Sequence, residues 1–117
     1  TDTARIYAVR VLPRGKAGRI RHVSSPGLPC DDIELDVIGN VYCASPFGSV
    51  VKISQLTGKV STVLDASALL DYPTDVTFGR GLSGMFTLYV TSAAFPGYSS
   101  FERPSLMRFN VRLPGLP

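Results

Sequence analysis

The stretch Cys30-Asp31-Asp32-Ile33-Glu34-Leu35-Asp36, continued by Asn40-Val41-Tyr42-Cys43-Ala44-Ser45, returns in degraded form later in the chain. Its second copy is Pro73-Thr74-Asp75-Val76-Thr77-Phe78, followed by Leu88-Tyr89-Val90-Thr91-Ser92-Ala93. Each copy holds two short runs rich in apolar, β-branched and aromatic residues. Units of this size cannot bury their faces alone and must stack on one another. A further match, Ile6-Tyr7-Ala8-Val9 with Val50-Val51-Lys52-Ile53 some 44 residues later, sets the same period.

A chain of 117 residues with 44% hydrophobic and 18% charged residues has the material for a packed core and is not disordered. Its apolar runs fall far short of the ~20 residues that a membrane-spanning helix needs, so no membrane partner is expected. It starts at Thr1 with no charged segment leading into an apolar one. The chain is therefore expected to be a piece of a longer protein.

The net charge is +3, but half of the basic side chains (Arg5, Arg10, Arg14, Lys16, Arg19 and Arg21) precede residue 22. Asp31, Asp32, Glu34 and Asp36 crowd the next segment. A nucleic-acid surface would interleave its bases with stacking aromatics, and only Tyr7 lies among these. The cluster reads as the wet face of a hairpin, and no nucleic-acid partner is expected.

Short strands dominate. Residues 5–12 and 18–24 flank the turn formers Pro13 to Ala17, and Pro26 and Pro29 then interrupt pairing. Strands follow at 31–36, 40–44, 50–54 and 60–64, with turns at Val37-Ile38-Gly39 and Thr57-Gly58. In the first of these, Ile33 and Leu35 point one way and Asp32, Glu34 and Asp36 the other. Residues 65–71 have room for one helical turn capped by Asp65. Strands at 75–78, 88–92 and 106–111 repeat the pattern, and 95–104 forms a long loop.

The fold class is all-β. Four antiparallel strands in about 35 residues make one propeller-like blade. The chain then holds the outer strands of one blade (1–25), a complete blade (30–65) and most of the next (73–112). Regular extension of the ladder puts Ile33 opposite Cys43 and leaves Cys30 about three residues further along the hairpin, beyond bridging range. Both cysteines are expected to be free thiols. No His, Asp or Cys sits at zinc-ligand spacing around them, and the cellular compartment is left open.

Asp31 with Asp36 and Gly39-Asn40-Val41-Tyr42, then Val50-Val51-Lys52-Ile53, Thr57-Gly58-Lys59-Val60, Pro73-Thr74-Asp75-Val76-Thr77-Phe78-Gly79 and Leu88-Tyr89-Val90-Thr91-Ser92 resemble the gluconolactonase and regucalcin (senescence marker protein) superfamily. The resemblance spans nearly the whole chain, and its blade-level motifs are shared with strictosidine-synthase-like and NHL-type propellers. It implies a six-bladed propeller represented here by C-terminal blades only, with the remaining blades missing. It also implies hydrolysis of a sugar lactone or similar small cyclic ester, assisted by a divalent metal. Ca²⁺ is the first choice, with Zn²⁺ or Mg²⁺ as alternatives. In that family a Pro-Asp-Gly motif supplies a metal-ligating Asp, and the position matching by spacing is Asp31. This chain has Cys30 in place of Pro and Asp32 in place of Gly. The other family ligands, a Glu and an Asn, would lie upstream.

Asp31 is thus the candidate metal ligand and catalytic base, against the alternative that Asp31 and Asp32 only cap a strand entrance. Asp75, at the equivalent place one repeat later, is a candidate channel-facing residue or a turn residue after Pro73-Thr74. Counting an EF-hand from Asp32 puts Val37 where Gly is required and Cys43 where Glu is required, which rejects that motif. Gly79-Arg80-Gly81-Leu82-Ser83-Gly84 spells a dinucleotide fingerprint, but the strand-like Thr87 to Thr91 follows where a helix is needed, so a hairpin loop is expected. The one histidine, His22, lies in an outer strand, and no serine sits in a G-x-S-x-G elbow, so no serine-hydrolase triad is expected. Tyr42, Tyr89, Phe78 and Phe109 recur at matching places and are expected between blades.

Two other functions stay open. One is a binding or scaffold propeller that has lost its metal, and the other is a propeller recruited to a biosynthetic rearrangement or condensation of an apolar substrate. A small-molecule partner fits the enzymatic cases.

Overall fold

A computed structural model of the chain describes residues 3–98 and 104–116, so the middle of the loop expected at 95–104 lies outside the described residues. Among the described residues, nine strands form three antiparallel sheets: β1 (Ile6–Val11) and β2 (Ala17–Ser24); β3 (Asp32–Leu35), β4 (Val41–Ser45), β5 (Ser49–Ile53) and β6 (Val60–Leu64); and β7 (Pro73–Phe78), β8 (Thr87–Ser92) and β9 (Ser105–Asn110). Within each sheet the spatial order is the sequence order. Every expected strand is present with its ends shifted by a residue or two.

Alternation explains why the sheets stack. In β4 all five residues are buried, so this strand is covered on both faces. On one face Tyr42 and Ala44 pack with Val50, Val76, Phe78, Leu88 and Val90, which joins the four-stranded sheet to the three-stranded one. The Tyr42 and Phe78 rings meet edge to face with centroids 5.1 Å apart, a favourable arrangement of their quadrupoles. On the other face Val41 and Cys43 join Val51, Ile53 and Ile6, which attaches the β1–β2 hairpin. Phe109 packs against the first cluster and Tyr89 is half-buried. Among the aromatics expected between repeats, Tyr42 and Phe78 are the pair in contact.

The turn between β3 and β4 lies where expected. The amide of Gly39, at φ +84°, donates to the Asp36 carbonyl at 2.9 Å. Residues Ala66–Ala68 form a 3₁₀ turn, and the Asp65 carboxylate accepts from the Ser67 amide at 2.9 Å. The segment expected as a hairpin loop is instead closed by a four-residue helix, α1 (Gly81–Gly84). Gly79 and Gly84 come together there, with no room for a Cβ on Gly79. A helix this short, running straight into β8, is no dinucleotide cradle.

Cys30 and Cys43 are not free. They form a disulfide with a Cα–Cα distance of 5.5 Å. The expected pairing of Ile33 with Cys43 is present, but the ladder ends at the Asp31 amide, which donates to the Ala44 carbonyl. Beyond it, Pro29 and Leu28 fold back over the sheet face, where Leu28 and Cys30 pack beside Cys43. Extending the ladder through a proline-broken segment is what misplaced Cys30. Disulfides of this kind persist in oxidising compartments.

The C-terminal tail makes a further contact. Asp36 bridges Gly115, the Val37 amide donates to the Pro114 carbonyl at 2.9 Å, and the Gly115 amide donates to the Met85 carbonyl at 2.8 Å. The tail thereby ties the end of β3 to the loop before β8. Gly115 lies directly against the Phe78 side chain, where a Cβ has no space.

Two outcomes follow for stability. Replacing both cysteines by alanine removes a closed loop and lowers unfolding free energy by about 3 kcal/mol in urea titration, and thiol titration of the native chain finds no reactive thiol. Gly115→Ala displaces Phe78 from its packing and costs about 1–3 kcal/mol by the same measurement.

Candidate functional site

In β3 the carboxylates of Asp32 and Glu34 project toward β7, as alternation requires. One Asp32 oxygen accepts from the Val76 amide at 3.3 Å, and Glu34 accepts from the Thr77 hydroxyl at 3.0 Å. The carboxyl groups of Asp32 and Asp75 are hydrogen-bonded to each other. This contact, together with burial and the negative charges of Asp32 and Glu34, raises the Asp75 pKa, partly opposed by the Val76 amide. A neighbouring carboxylate disfavours the ionised form of Asp75, so Asp75 keeps its proton to higher pH than a free aspartate does.

The residue beside Asp75 is Asp32, and Asp32 is also its counterpart in the repeat, where Asp31 was expected. The register explains it. Ile33 pairs with Cys43 and Leu35 with Val41, just as Val76 pairs with Val90 and Phe78 with Leu88. Residues 33 and 35 thus correspond to 76 and 78, which makes Asp32 the counterpart of Asp75 and Glu34 that of Thr77. Asp31 sits at the strand entrance. It is exposed, and among the described residues its side chain makes no hydrogen bond. The structure brings Asp32, Glu34, Asp75 and Thr77 together and leaves Asp31 outside that group.

Asp36 has a structural task. Fully buried, its carboxylate accepts from the amides of Ile38 at 3.1 Å and Asn40 at 2.9 Å, and from Asn40 Nδ2 at 2.8 Å. Three donors compensate the desolvation of this carboxyl group and hold the β3–β4 turn. Burial, and secondarily the Asp36 charge, raises the pKa of the Tyr42 hydroxyl. His22 lies on the exposed hairpin, edge-on to Tyr7 at 5.4 Å and hydrogen-bonded to Ser25.

Among the described residues, no three His, Cys, Asp or Glu side chains converge closely enough to hold a metal ion. The inter-sheet carboxyls are instead spent on β7. No family model matches the chain, and no curated protein matches it either.

The Asp32–Asp75 pair makes stability depend on pH. Unfolded, Asp75 ionises at its ordinary value of 3.8, whereas the folded chain keeps the proton to higher pH. Below 3.8 both states are protonated and the contribution is complete; as pH rises through the raised folded value it is lost. The urea midpoint is expected to fall over that window in the native chain, and Asp75→Asn flattens the fall. Equal slopes in the two proteins would show that Asp75 does not titrate above its ordinary range.

Proposed function

We propose that these residues are part of a lactonase-like six-bladed propeller, in which Asp31 accepts a proton from the water that attacks the carbonyl of a small cyclic ester. The observation that carries this is a division of labour at the start of β3. Asp32 and Glu34 are engaged with β7, whereas Asp31 is exposed and uncommitted. A carboxylate free of internal partners is available to a water molecule and a substrate. Supporting the propeller are three antiparallel sheets in sequential strand order, stacked at a repeat of about 44 residues.

Among the described residues, the oxygen donors do not fit a divalent cation by themselves. A cation site would need oxygen ligands from further blades. The competing role is a metal-free binding or scaffold propeller. It is favoured by the use of Asp32, Glu34 and Asp75 as a hydrogen-bonded seam, which is a packing role.

Calorimetric titration of the chain with Ca²⁺ and Zn²⁺ is expected to give no saturable heat, and the chain alone no hydrolysis of glucono-lactone. In a polypeptide that completes the ring, the lactonase assignment expects saturable cation binding and a loss of about 100-fold or more in hydrolysis for Asp31→Ala. A completed ring that binds no cation, and hydrolyses lactone equally with and without the Asp31 carboxylate, leaves the scaffold role.

A further inference from the structure

The β1–β2 hairpin is a two-stranded sheet, and the edge of β1 away from β2 pairs with no described strand. Beside that edge runs a groove of about 730 Å³, floored by Ile33, Leu35 and Val41 of the four-stranded sheet and walled by Tyr7 and Val9 of β1. Arg21, hydrogen-bonded to Gln55, and Glu34 add polar groups to its lining, but the apolar side chains are open to water: Tyr7 is 52%, Val9 46%, Ile33 47% and Ile38 59% exposed. The radius of gyration, 14.8 Å, exceeds the roughly 13.4 Å expected of a closed domain of this length.

The chain shows how such a gap is filled one repeat later. Val76 and Phe78 are the counterparts of Ile33 and Leu35, yet they are only 1% and 6% exposed. Tyr42 and Ala44, from β4, cover them. Over Ile33 and Leu35 there is no equivalent of β4, because the hairpin supplies only the counterparts of β5 and β6. The match of Ile6 to Val9 with Val50 to Ile53 identifies β1 with β5. A free strand edge and an uncovered apolar face meet in one groove, and both lack the same two strands.

We propose that this groove is a β-augmentation site. Its occupant is a two-stranded antiparallel ribbon from polypeptide outside these residues, with its second strand hydrogen-bonded along β1. The ribbon carries an aromatic over Leu35, as Tyr42 lies over Phe78, and alternating apolar residues over Ile33 and Val41. Main-chain pairing along β1 supplies affinity, and the pocket over Leu35 supplies register. The proposal rests on the repeat reading above but not on any lactonase activity.

The test completes the sheet within one polypeptide. A copy of residues 31–48, with Cys43→Val in the copy, is placed ahead of residue 5 of the otherwise unchanged chain, reproducing the β4-to-β5 connection. Amide hydrogen exchange over Ile6–Val11 is expected to slow by about tenfold or more, and Tm to rise by several degrees, with the fusion still a monomer. The same fusion carrying Tyr42→Lys in the copy alone is expected to lose both effects. Unchanged exchange in the fusion, or equal slowing in the lysine control, overturns the proposal. Neither readout involves metal or substrate, so failure here and failure of the lactonase assignment are separate results.

Discussion

Burial of β4 on both faces is the constraint on which the rest of the structure depends. A strand with one wet face can serve as the wall of a single sheet, but Val41 to Ser45 are all shielded. Two further layers must therefore pack against them. Tyr42 and Ala44 recruit β7 and β8, and Val41 and Cys43 recruit the hairpin. At roughly 25 cal/mol per Å² of apolar surface, these two interfaces supply the main driving force for assembling three sheets that are each too small to be stable alone.

The polar contacts do a different job. They set how the layers are aligned rather than whether they associate. Asp36 spends its acceptor capacity on the β3–β4 turn, and the tail at Pro114–Leu116 adds backbone pairs around it. The disulfide holds the segment before β3 against Cys43, which fixes where the strand begins. From that start, Asp32 and Glu34 reach the Val76 amide and the Thr77 hydroxyl. β3 is thus held at its start by the disulfide, along its length by β7 and at its end by the turn and the tail, while Asp31 is left exposed. The raised pKa of Asp75 beside Asp32 gives the same seam a dependence on pH.

Much of this architecture was legible in the chain because side-chain alternation and turn residues are local properties. The strands, the Val37-Ile38-Gly39 turn, the pairing of Ile33 with Cys43 and the opposed faces of Ile33 and Glu34 all follow from spacing of two and from Gly at positive φ. What was not legible depended on the path of irregular segments. The bridge between Cys30 and Cys43 needs the chain to turn out of the sheet plane at Pro29, and ladder geometry carries no information about that turn. Residues 79–84 failed for a related reason. Glycines mark a break without saying whether a loop or one helical turn closes it.

The pattern of residues by itself determined that the chain is all-β, repeats at about 44 residues and buries alternate positions, because periodicity and burial are coupled through the pleat. Only the tertiary structure decided which carboxylates meet. Spacing pointed to Asp31 as the counterpart of Asp75, but neighbouring residues of a strand face opposite sides. The stacking of β7 on one side of β3 therefore gives Asp32 a partner and gives Asp31 none.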